Sequence, residues 1–154
     1  MPSDESARRR SSIAADGRRR SSLAIVVGGG ALLASLFTLP WHHYAISVTG
    51  AGSFALDRSG VQSPDENLGI AAVLVTGVLV ALSALSVLAP PHVRERLRRA
   101  DVVAWFGGPL LLALLGLKVL KNTNYLGIGA WVSVVLGVAV AASALRFRPA
   151  STAE

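Results

Sequence analysis

Residues 68–88 read LGIAAVLVTGVLVALSALSVL, a run without a charged residue whose polar groups are the hydroxyls of Thr76, Ser83 and Ser86. A helix of about 20 such residues crosses the roughly 30 Å hydrocarbon core of a bilayer. A membrane strand needs alternation and about half this length. The run therefore reads as a helix, which closes its own backbone hydrogen bonds in lipid.

Three further runs share this character. Residues 23–39, 102–119 and 125–145 are apolar, and none carries an acidic or basic residue near its middle. Composition agrees, because 154 residues that are 52% apolar and 16% charged are too greasy for an ordinary soluble domain of this size. The expectation is an all-α membrane protein, a four-transmembrane-helix bundle over 22–147. A disordered basic cytoplasmic tail (1–21) precedes it, a short cytoplasmic tail (148–154) follows it, and the loop 41–67 faces outward with the pattern of a short β-hairpin.

The charges orient this bundle. Arg8, Arg9, Arg10, Arg18, Arg19 and Arg20 precede the first span, Arg94, Arg96, Arg98 and Arg99 lie between the second and third, and Arg146 and Arg148 follow the fourth. Arg58, Lys118 and Lys121 fall on the other side. The positive-inside bias then places both termini in the cytoplasm of a cell-membrane protein. Lys118 and Lys121 sit near the outer boundary and are expected to snorkel to it. The net charge of +6 arises from arginines beside spans, without interleaved aromatics, so nucleic acid is an unsuitable partner. Anionic lipid suits it better, with Arg18, Arg19, Arg20, Arg94, Arg96, Arg98 and Arg99 as the contacting side chains.

Two readings are open for the tail, which repeats RRRSSIA at 8–14 as RRRSSLA at 18–24. It is either a topology anchor or an electrostatic switch, in which phosphorylation of Ser11, Ser12, Ser21 or Ser22 loosens it from anionic lipid. A cleaved export signal fits poorly, since the first apolar run is longer than a signal core and no small-x-small site follows it.

The stretch FTLPWHHYAISV, residues 37–48, closes the first span. Pro40 ends the helix, and Trp41 and Tyr44, with Tyr125 at the start of the fourth span, read as headgroup-level anchors. His42 and His43 raise the question of a metal. Asp57, Asp65 and Glu66 could reach them from the same loop, but His92 belongs to the opposite side of the membrane. Interfacial histidines are the favoured reading, pH responsive because imidazole as a group titrates near 6.5, with no metal and no cofactor expected. Further along, Tyr44, Ile46 and Val48 alternate with Ala45, Ser47 and Thr49 before Gly50 and Gly52, which is a hairpin signal.

Within the spans the expected chemistry is sparse. No acid, base or histidine lies near a span centre, and the hydroxyls can bond back to helix carbonyls. Small multidrug exporters share this size but rely on a glutamate in the first span, and quinone-linked thiol oxidoreductases need cysteines; this chain has neither. No nucleophile, base and orienter assemble on one side, so an enzyme is not expected. Small residues recur instead: Gly129, Ser133, Gly137 and Ala141 in the fourth span, Gly77, Ala81 and Ala84 in the second. Such faces let helices approach closely, either inside the bundle or against a copy or another membrane protein.

The first span ending in LPW, a loop of aromatic, Gly and Ser residues, a second span opening LGIAAVL and a last span reading YLGIGAWVSVVLGVAVAASAL together resemble small four-span membrane proteins of high-GC Gram-positive bacteria. The resemblance covers 23–147 and implies topology without supplying catalytic residues; the two histidines after Trp41 depart from it. The functional expectation is a non-enzymatic structural or accessory membrane protein. The alternative is a small transporter or channel formed by oligomerisation.

Overall fold

The structure, a computed structural model, describes residues 4–49, 52–62, 65–90, 93, 97, 101–123 and 126–147. Among these, four helices and one hairpin follow in chain order: α1 (Asp4–Thr38), β1 (Pro40–Val48), β2 (Gly52–Ser59), α2 (Glu66–Leu88), α3 (Asp101–Lys121) and α4 (Ile128–Ala144). Stretches of α1 (Asp16–Thr38), α2 and α3 are long and apolar enough to cross a membrane, and α4 is a shorter apolar helix.

Two boundaries differ from the sequence reading. The basic tail expected to be disordered over 1–21 is helical from Asp4 onward. Arg and Ala are strong helix formers, and extending an existing helix adds one hydrogen bond per residue without a new nucleus. The fourth helix starts at Ile128 rather than 125, because Leu126 pairs as an isolated bridge with His42 and Gly127 is extended (φ −82°, ψ 174°). At 1.5 Å per residue its 17 residues span about 25 Å.

Each helix packs on two neighbours: α1 on α2 and α4, and α3 on the same pair. The hairpin end gathers the C-termini of α1 and α3 with the N-termini of α2 and α4, an up-down-up-down bundle. At the opposite end, the Arg18 guanidinium donates to Asp101 at 2.6 Å and lies 5.8 Å from the Phe147 ring centre. There too the hydroxyls of Ser22 and Ser86 meet at 2.9 Å.

The buried positions step by three and four residues. They are Gly69, Ala72, Thr76, Leu79 and Ser83 in α2, and Ala104, Gly108, Leu111, Leu115 and Lys118 in α3. Such seams suit near-antiparallel packing. In α4 the small-residue repeat lies inside the bundle: a Cβ on Gly137 would stand 2.5 Å from Leu115 Cδ1, and one on Gly108 of α3 would stand 3.1 Å from the Ala141 Cα.

The α2 repeat faces the other way. Ala81 is exposed, Gly77 and Ala84 are half-buried, and a Cβ on Gly77 would meet nothing within 4 Å. Larger apolar side chains also cover the outside, with Val27 72% and Leu88 81% exposed, alongside Leu74, Phe106, Leu120, Trp131 and Val135.

β1 and β2 pair antiparallel from Val48↔Gly52 to Pro40↔Ser59, with an irregularity between Pro40 and His42 that leaves Trp41 as an extra residue. This bulge has a consequence at the site, because it breaks the alternation of faces. Gly52 takes φ +91°, the left-handed conformation that glycine adopts without strain.

Candidate functional site

The densest polar cluster among the described residues lies at the hairpin end. Neighbouring strand residues normally point to opposite faces. Because of the bulge, Trp41 and His42 are both 0% exposed, while His43 returns to the outside. Glycines make room for them: a Cβ on Gly60 would stand 2.7 Å from the Trp41 Nε1, and one on Gly129 would stand 2.8 Å from the Pro40 oxygen.

Trp41 heads a closed hydrogen-bond chain. Its indole N–H donates to Ser133 Oγ at 3.1 Å, and Ser133 and Ser35 hydroxyls lie 2.7 Å apart. The Ser35 hydroxyl donates to the Leu32 carbonyl at 2.9 Å, so the bridging proton belongs to Ser133. Every member is satisfied, and β1, α1 and α4 are fastened together. The main chain adds a second tie, since the Gly127 N–H donates to the Trp41 carbonyl at 2.7 Å.

Across the hairpin end, the mouth of the bundle, lies Lys118, which is 0% exposed instead of snorkelling outward. Its ammonium donates to the Asp65 main-chain oxygen at 3.1 Å and stands 5.7 Å from the Trp41 ring centre. Asp65 occupies the left-handed region (φ 57°, ψ 43°) immediately before α2, without a capping bond to that helix from its own side chain. The carboxylate turns instead to α3, accepting from Asn122 Nδ2 at 2.8 Å and Lys121 Nζ at 3.2 Å. The Asn122 bond, then that of Lys121, holds its pKa below the ordinary 3.8.

His42 completes the cluster. Among the described residues neither of its ring nitrogens has a hydrogen-bond partner. Its pKa is pushed below 6.5, first by burial and then by the Lys118 charge, with Asp65 opposing. His43 points outward and lies 2.5 Å from Asp57 across the hairpin. The two histidines thus face opposite sides and cannot converge on one ion. Among the described residues no group of three His, Cys, Asp or Glu side chains forms a metal cluster.

Several expected assignments change. Trp41 is a core residue rather than a headgroup anchor, because the bulge folds it inward; Tyr44 is half-buried. Arg18 is held by Asp101 and Phe147 rather than extended to lipid, whereas Arg19 and Arg20 are exposed, with Arg20 paired to Asp16 one turn away. Ser21 and Ser22 are buried, which closes them to a kinase in this conformation. Tyr125, Arg94, Arg96, Arg98, Arg99 and the tail 148–154 lie outside the described residues.

Sequence reasoning missed Lys118 and His42 as partners of one mouth. Their signal was available in one respect: Lys118 continues the α3 spacing Ala104, Gly108, Leu111, Leu115, so helical periodicity alone turns it inward. No family model, curated protein or solved structure matches this chain.

Proposed function

We propose that this chain is a four-span protein of the cell membrane, with both termini cytoplasmic and the hairpin outward. In this reading it is a non-enzymatic structural or accessory component. The observation that supports it is the apolar outer surface: large side chains such as Val27, Leu74, Phe106, Leu120, Trp131 and Val135 are exposed around a core that mixes Leu and Ile with small and hydroxyl residues. In water such a surface would aggregate, and in lipid it is the ordinary solvent-facing one.

The α4 face of Gly129, Ser133, Gly137 and Ala141 is occupied by internal packing, so association falls to the exposed hairpin and to the α2 face of Gly77, Ala81 and Ala84. Arg19 and Arg20 suit anionic headgroups on the cytoplasmic side.

The absence of cysteine gives a clean test. Ser53→Cys on the hairpin is expected to react with an impermeant maleimide in intact cells, and Arg20→Cys only after the membrane is opened. The reverse pattern overturns the orientation. Cross-linking in the native membrane then tests the accessory role, and capture of no copy or other membrane protein would count against it. A second reading, a small transporter or channel built by oligomerisation, draws on the buried Lys118 and His42. Solute flux through vesicles carrying the pure protein would favour it.

A further inference from the structure

We infer that His42 is a proton-operated latch on the hairpin end: when its ring takes up a proton, β1 leaves the mouth of the bundle. The inference rests on the position of a fully buried imidazole whose two nitrogens have no partner among the described residues. A buried polar group without a partner is costly, and a buried charge without one is far more so.

Among the described residues, none of the charged groups around His42 is hydrogen-bonded to its ring. From α3 come Lys118, buried and cationic, and Lys121. From the start of α2 comes Asp65, whose carboxylate already accepts from Asn122 and Lys121, with exposed Glu66 beyond it. From β2 come Arg58, the cross-strand partner of His42, and Asp57, which is engaged with His43. On β1 itself the neighbours are Tyr44, with its ring 6.1 Å away, and Trp41 at 6.4 Å. The α4 side contributes Leu126, which bridges His42, and Gly127, which bonds to Trp41, and α1 reaches this end through Ser35, joined to Trp41 by way of Ser133; none of them is titratable. A proton on His42 would place a second cation in the mouth that already holds Lys118.

Moving the ring into water relieves this conflict, and the backbone makes the move consequential. His42 bridges Leu126, while Trp41 beside it accepts from Gly127 N–H and donates to Ser133. Withdrawing β1 therefore removes its ties to the start of α4 and to Ser133 together. The hydrated ring titrates near 6.5 and the buried ring lower, so the closed mouth is fully favoured above about pH 6.5 and loses ground as pH falls from there through the lowered value. Each unit of lowering corresponds to roughly a tenfold rise in the ratio of open to closed forms once both have titrated. The same charge logic keeps the mouth shut at neutral pH.

The experiment uses Trp41 as its own reporter, in full-length protein in mild detergent with Trp105→Phe and Trp131→Phe. Between about pH 7.5 and about pH 5, Trp41 emission is expected to shift reversibly to the red and its quenching by iodide to rise several-fold, with a midpoint below the ordinary imidazole value. His42→Phe, or the polar but non-titrating His42→Gln, is expected to abolish the transition; His43→Gln is expected to keep it. A Trp41 signal that stays flat across this range overturns the latch. So does a transition that persists in a folded His42 variant, or one that disappears in His43→Gln.

Discussion

The Lys118 ammonium lies 3.1 Å from the main-chain oxygen of Asp65, joining the last turn of α3 to the residue that precedes α2. These residues are far apart in sequence and come from different helices. A cation drawn into the bundle in this way is held by a carbonyl dipole, by the face of Trp41 and by the Asp65 charge nearby. The interaction closes the hairpin end, and its removal is measurable. Lys118→Ala is expected to lower stability by about 2–4 kcal/mol, since it removes a charge-assisted hydrogen bond and leaves a cavity. Lys118→Met, which keeps the stem, should cost less. Denaturant titration in detergent, followed by circular dichroism, ranks the two.

Ser133 offers a second test, because its hydroxyl accepts from the buried Trp41 indole and bridges to Ser35. Ser133→Ala leaves a buried donor unpaired, at a cost of about 1–3 kcal/mol. Ser143 lies on the same helix but bonds back to the Ala139 carbonyl at 2.8 Å on an exposed face. Ser143→Ala should change stability by less than about 0.5 kcal/mol. Thermal melts of the two variants are expected to separate by several degrees.

The glycines of α2 and α4 should respond in opposite directions. Gly137→Ala would drive a methyl against Leu115 and is expected to destabilise by about 1–3 kcal/mol. Gly77 has open space, so Gly77→Ala is expected to be neutral or to stabilise by up to about 1 kcal/mol through helix propensity. If Gly77→Leu also abolishes cross-linking to a partner while the melt is unchanged, the α2 face is an association surface.

Acid should act on the mouth through Asp65 in a window separate from that of His42. The Asp65 carboxylate is held below 3.8 by Asn122 and Lys121, so its stabilising contribution is complete above about pH 4 and fades as pH falls through the lowered value. Asp65→Asn is expected to flatten that low-pH limb of stability and to keep the His42 transition, moved to lower pH because the Asp65 charge no longer favours the imidazolium. Melting temperature followed across pH in the wild type and the variant separates the two windows.

Most of the helical fold was legible in the sequence, and most of the site was not. The apolar runs marked α1, α2 and α3, because a helix long enough for a bilayer needs a long uncharged stretch and tolerates little else. The alternation from Tyr44 to Val48 marked the hairpin, but nothing local marked the bulge at Trp41, which depends on how Pro40 and His42 meet β2. The α4 repeat was visible as a close-approach face, and its occupants Leu115, Leu39 and Pro40 were not. On α2 the same kind of repeat proved to be the outer face, since small size permits a contact without requiring one.

The sequence by itself determined the class, the helices and the hairpin, through local physics: hydrophobic length, alternation, and the scarcity of charge. The tertiary structure alone decided which faces are inside, and so which polar groups share a mouth. Lys118, Asp65, Asn122, His42, Trp41, Ser133 and Ser35 come from α1, β1, α3, α4 and the residues just before α2 and just after α3, and no sequence spacing relates one element to the next. Their meeting follows from packing, because the bulge turns two consecutive residues inward and the three-and-four step of α3 carries Lys118 to the same end.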